Sequence, residues 1–124
     1  MNSENGRIEV VNVVNIEFVD NGRSLRLEII DSIPPHSTRF VTFKNAYGVS
    51  LFQSGDEEFP MVVIDLTWRE VSLNEKEQML STHHYPIFDE SGRPIALKRR
   101  LVAAHLEGAI VGDVLAEEII IASA

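Results

Sequence analysis

The sequence predicts a mainly β domain, an antiparallel sandwich or partly open barrel, with one short helix around residues 73–80. Three observations predict it. Apolar and polar residues alternate in short runs. Leu25, Leu27 and Ile29 alternate with Ser24, Arg26 and Glu28, and a period of two sends each set to its own face of a strand. Turn residues close these runs every 8–15 residues or so, roughly the spacing of all-β folds. Finally, there is no series of crossover helices of the kind that parallel strands require.

The first strand runs from Arg7 to Val19, after a polar end (residues 1–6) that should fray. Asp20-Asn21-Gly22-Arg23 is a turn, because Asn and Gly tolerate positive φ, and it joins this strand to Ser24–Asp31 as a hairpin. Ile33-Pro34-Pro35 ends the second strand, since proline cannot donate to a ladder. Thr38–Lys44 is a third strand, Asn45–Gly48 a turn or bulge, and Val49–Phe52 a short strand. Met61–Val71 is the clearest strand. Its alternation places Val62, Ile64, Leu66 and Trp68 on one face and Val63, Asp65, Thr67 and Arg69 on the other. Ser72-Leu73-Asn74-Glu75 matches the capping box and starts the helix. A long connection from Thr82 to Pro94 carries a short strand at Tyr85–Phe88. Arg99–Leu106, a short strand within Ala109–Asp113, and Ala116–Ala122 complete seven or eight strands.

The 124 residues suit a single domain spanning 1–124. Hydrophobic residues at 44% and charged residues at 24% are ordinary globular usage. The absence of cysteine excludes disulfides and thiolate metal sites and suits a reducing compartment. No apolar stretch approaches the ~20 residues that span a bilayer, and the polar N-terminus lacks the pattern of a signal peptide, so the expected location is cytoplasmic with no membrane contact. The net charge of −8 opposes nucleic-acid binding and suits solubility or a basic protein partner. The one basic run, Lys98-Arg99-Arg100, reads as a solvated flank guarding an apolar strand.

Candidate chemistry is sparse. There is no Gly-x-Ser-x-Gly elbow and no P-loop, and no catalytic residue, metal ligand or cofactor is assigned. His83, His84, His105 and Asp65 are the candidates for a ligand-binding site. Adjacent His83 and His84 point to opposite faces of an extended chain, so they do not easily share one ion. His105 has the strand parity of Leu101 and Ala103 and reads as a hydrogen-bonded core or edge histidine. Asp65 reads as the polar half of its strand, with Arg39, Lys98 and Arg99 as partners if it is buried. The candidate interaction surface is the acidic loop Asp56, Glu57 and Glu58, with Phe59 and Tyr85 beside prolines. Asp113, Glu117 and Glu118 form a second acidic group. Ile119-Ile120-Ile121 reads as a strand covered on both faces, or as a subunit contact.

The stretch from His105 to Ile119, together with the hairpin Ile16–Ile29, resembles small uncharacterised bacterial β-rich domains, some of them regarded as immunity proteins. The resemblance rests on hydrophobic spacing and brings no functional residue with it. Three functions follow as expectations. The leading one is a non-enzymatic protein-interaction module, immunity-like or accessory, acting through acidic loops. The second is a small-ligand- or metal-binding barrel, enzymatic in one form. The third is a structural subunit, with a homodimer that covers edge strands.

Overall fold

The computed structural model describes residues 5–55, 58–72, 75, 91–92 and 100–124. Six strands are described: β1 (Asn5–Val19), β2 (Ser24–Asp31), β3 (Thr38–Gln53), β4 (Met61–Glu70), β5 (Val102–Gly108) and β6 (Ile110–Ser123). They close into a barrel in the order β1-β2-β3-β6-β5-β4, with every neighbouring pair antiparallel. The expected antiparallel β class is therefore realised as a closed barrel. Asn5 and Gly6, expected at a frayed end, pair with Arg69 and Trp68.

Local sequence explains the hairpin between β1 and β2. Asp20, Asn21 and Gly22 take φ of 54°, 60° and 87°, a left-handed region that these residue types enter at low cost. The Gly22 amide closes the turn on the Val19 carbonyl at 3.1 Å.

Two pairs of short strands anticipated from the sequence are fused. Thr38–Lys44 and Val49–Phe52 belong to one 16-residue strand, and the short strand expected within Ala109–Asp113 joins Ala116–Ala122 in β6, which begins at Ile110. The cause is mutual. β3 and β6 pair over nearly their whole length, from Arg39↔Ser123 to Gln53↔Ile110. The irregularity at 45–48 is absorbed as a positive φ at Asn45 and a register shift between Ala46 and Gly48, instead of ending the strand.

Close approaches at Gly112 and Gly6 help to shape the wall. Gly112, at φ +152°, lies where a Cβ would stand 1.9 Å from the Ser50 carbonyl oxygen. A Cβ on Gly6 would stand 2.2 Å from the Trp68 ring, so the missing side chain makes room for the indole.

The interior is a packed core. Leu27, Ile29, Val41, Phe43, Leu66 and Leu106 are among its fully buried members, each contributing about 1.5–3 kcal/mol by burial. A second, smaller cluster lies on the other side of the wall, where Val71, Leu101 and Leu115 pack with Tyr47 and Ala103. Leu115 belongs to it because its neighbours Val114 and Ala116 both point into the main core.

The structure corrects the facing of β4. Val63, Leu66 and Trp68 are buried, whereas Val62 and Ile64 are exposed. The simple alternation fails because the register against β5 shifts between Val63 and Asp65. This bulge at Ile64 leaves Ile64 and Asp65 both outward and reverses the parity below it.

Of the expected helix at 73–80, only Glu75 is described, and it is helical. Its amide donates to the Ser72 carbonyl at 3.0 Å, and the Ser72 hydroxyl donates to its carboxylate at 3.0 Å. The remaining residues of that expectation, and the strand expected at Tyr85–Phe88, lie outside the described residues. No helix among the described residues is long and apolar enough to cross a membrane.

Candidate functional site

The chemistry-bearing side chains gather on the outer face of β4, β5 and β6. In β5, alternation sends Val102, Ala104 and Leu106 into the core and Ala103, His105 and Glu107 outward. Register then sets their neighbours. Thr67, His105 and Asp113 lie side by side across three strands, and Asp65 lies opposite Glu107. On the far side of β4, Arg7 lies opposite Thr67 and Glu9 opposite Asp65.

His105 is held between two carboxylates. Its Nδ1 is 2.9 Å from Asp113 Oδ1 and its Nε2 is 2.6 Å from Glu107 Oε1. These contacts, with Glu107 the larger influence and Asp113 next, raise the imidazole pKa above its ordinary value, against an opposing effect of burial. When protonated, the ring donates from both nitrogens at once. Neither nitrogen then offers a lone pair to a nucleophile's proton or to a metal ion. The two carboxylates also approach from opposite edges of the ring. Consistently, no group of three His, Asp or Glu side chains among the described residues is arranged to hold a metal ion.

Asp65 is engaged in a fork. Arg7 Nε and Nη2 donate to its two oxygens at 2.6 Å each. This bidentate pair lowers the Asp65 pKa, mainly through the hydrogen bonds, and raises that of Arg7. Arg7 also stands 3.4 Å from Glu9. The partner is thus Arg7 and not Arg39, which pairs with Asp31 at 2.6 Å. Lys98 and Arg99 lie outside the described residues.

A depression of ≈ 250 Å³ adjoins this face, lined in part by Thr67, Arg69, Ala103, His105, Asp113 and Leu115. Arg69 turns to Glu75, with Nη2 3.1 Å from its carboxylate. That contact, followed by the Ser72 hydroxyl, holds the Glu75 pKa below its ordinary value.

The structure therefore brings two of the expected ligand-site residues, Asp65 and His105, to one face, with Glu107 between them in register. His105 is half-exposed on the outer wall, not in the core, because Leu101 precedes the strand and its burial says nothing of strand parity. His83, His84, Asp56, Glu57 and Tyr85 lie outside the described residues. Glu58 is exposed, and so is Phe59. Glu117 accepts from Asn45 at 2.6 Å, and Glu118 lies 4.0 Å from Arg100. Arg100 itself donates to Glu70 at 3.0 Å. Ile119 is buried, while Ile120 and Ile121 are half-buried. Sequence reasoning missed Arg7 and Glu107. Glu107 was within reach, since i and i+2 share a face of a strand. Arg7 was not, because 58 residues separate it from Asp65 and only barrel closure joins them.

No family model matches the chain, and no curated protein matches it. A solved structure does. The crystal structure of an uncharacterized protein from Neisseria gonorrhoeae is similar over 94% of this chain and 95% of that one, with a TM-score of 0.59 and 16% sequence identity. The likeness is one of fold. It spans nearly the whole barrel and attaches no activity to it.

Proposed function

We propose that the protein is a non-enzymatic interaction module that binds a basic protein partner through its acidic surface. One observation carries this reading. The barrel interior is filled by buried apolar side chains, and the polar groups gathered outside it are already engaged with one another, in a chain of net charge −8. An acidic face of that kind accelerates and orients association with a basic surface. The ligand-binding alternative gains less support. The depression beside His105 is smaller than the roughly 300–1,000 Å³ of typical ligand pockets. Barrel closure also removes the edge-strand reason for a homodimer, because every described strand is paired on both sides. A cytoplasmic setting and an immunity-like or accessory role are the finer parts of the proposal, and both rest on the sequence resemblance and composition.

The test is to identify partners by cross-linking in the cells that make the protein, then to measure the affinity of the purified partner against ionic strength. A basic partner whose Kd weakens steeply with salt is expected. Partners that are acidic, or whose binding ignores salt, would overturn the proposal.

A further inference from the structure

The outer face of β1 and β4 carries an apolar spot that the described residues leave exposed. Val10, Val62 and Ile64 are 43%, 44% and 59% exposed. Val10 and Ile64 lie between the paired positions Glu9↔Asp65 and Val11↔Val63, so they are neighbours across the ladder, and Val62 follows two residues along the same face. The bulge at Ile64 is what turns this side chain out of the core. On the β5 side the next residue is Gly108, where a Cβ would stand 2.5 Å from the Val62 carbonyl oxygen and 3.0 Å from the Ile64 amide nitrogen. Ala109 follows, its amide donating to the Val62 carbonyl at 2.8 Å. Neither residue has a side chain long enough to cover the valine and isoleucine.

The rim of the spot is acidic. Glu9, Asp65, Glu107 and Asp113 share this face with Arg7 and His105, and Arg69 at its end is matched by Glu75. The rim therefore stays net negative even with the imidazole protonated. An apolar centre inside a charged rim is the anatomy of a protein-docking surface. Its charge also selects the occupant. A second copy meeting this face about a two-fold axis would set carboxylates against carboxylates.

Resting on the interaction reading above, we propose that Val10, Val62 and Ile64 are the docking centre, and that the occupant is a partner segment presenting apolar side chains flanked by lysine or arginine. Because the described strands leave no free edge, the segment docks through side chains and not by adding a strand.

The test is amide chemical-shift mapping on the full chain with three short synthetic peptides, of alternating lysine and leucine, lysine and serine, or glutamate and leucine. The lysine–leucine peptide is expected to shift amides at 9–10, 62–65 and 107–109 and to bind more tightly than the other two. Ile64→Ser and Val62→Ser should each weaken it about fivefold or more, as truncation of an anchor does. Phe18→Ser, at an exposed residue on the far part of β1, should leave it unchanged. These changes lie at exposed positions, and a dispersed amide spectrum confirms that each variant folds. Glu107→Gln tests the rim without touching the apolar centre and should also weaken binding. Equal binding by the lysine–serine or the glutamate–leucine peptide would overturn the assignment, as would absence of binding. So would shifts centred on Glu117 and Glu118, which would leave the broader interaction reading intact. Concentration-dependent shifts of the same amides without peptide would reveal a second copy as occupant and overturn it too.

Discussion

Replacing Gly112 with alanine should destabilise this barrel far more than adding the same methyl to a glycine with open space around it. Two penalties add at this position. The backbone sits at φ +152°, which an L-residue adopts at a cost of about 1–2 kcal/mol. The new Cβ would stand 1.9 Å from the Ser50 carbonyl oxygen and 2.9 Å from Leu51 Cα. These neighbours are backbone atoms and cannot rotate away. β6 must instead move off β3, where Gly112 pairs with Leu51, while it also pairs with Leu106 of β5. Weakening two or three ladder hydrogen bonds, at about 1 kcal/mol each, brings the total to about 3–5 kcal/mol. That is a large share of the 5–15 kcal/mol or so available to a domain, and corresponds to a fall in Tm of about 10–20 °C. Gly22→Ala is the control. Gly22 has φ +87°, but a Cβ there would meet nothing within 4 Å, so it carries the backbone penalty alone. Urea unfolding followed by Trp68 fluorescence measures both variants. Should Gly112→Ala lose no more stability than Gly22→Ala, the argument from backbone contact between β3 and β6 is refuted.

Other outcomes follow from the core and from the charged face. Phe43→Ala removes a fully buried ring at the junction of β2, β3 and β6 and should cost about 3–5 kcal/mol in the same urea assay. A loss below about 1 kcal/mol would mean that the ring is not packed as described. Trp68, 6% exposed, should emit at short wavelength and resist iodide quenching until the barrel unfolds. A red-shifted, quenchable native emission would contradict its burial against Gly6. His105 makes stability depend on pH. Its pKa is raised from 6.5 in the folded state by Glu107 and Asp113, so the folded chain holds the proton more tightly than the unfolded chain. The stabilisation is present in full below pH 6.5 and fades as pH rises through the folded value. Wild-type Tm minus that of His105→Gln should therefore shrink as pH rises from mildly acidic to alkaline, and a flat difference would remove the imidazolium from the argument. Asp20, Asp65 and Glu75 carry the opposite sign, their pKa values being lowered by Ser24 and Lys44, by Arg7, and by Arg69 and Ser72 respectively. Their contribution should be lost as pH falls through the ordinary carboxylate range and below, visible as an acid-side fall in Tm that Asp65→Asn reduces.

What the sequence by itself determined about this protein is local in origin. Alternation in Leu25–Ile29 made a strand, Asp20-Asn21-Gly22 made the turn before it, and both are where the residues alone place them, because side-chain period and turn φ are properties of neighbouring residues. The excess of acid over base is likewise written in composition. The tertiary structure decided everything that depends on a partner strand. It chose a closed barrel over a sandwich, because β1 pairs with β4 as well as β2. It fused the segments around Asn45–Gly48 into β3, because β6 was long enough to carry the bulge. It turned Ile64 outward against the alternation, because β4 shifts register on β5. It brought Arg7 to Asp65 and Asp113 to His105, pairs defined by register and not by sequence spacing. A two-residue period fixes which side chains agree with one another. Only the ladder, with its bulges and its closure, fixes which of them face the core and which face outward.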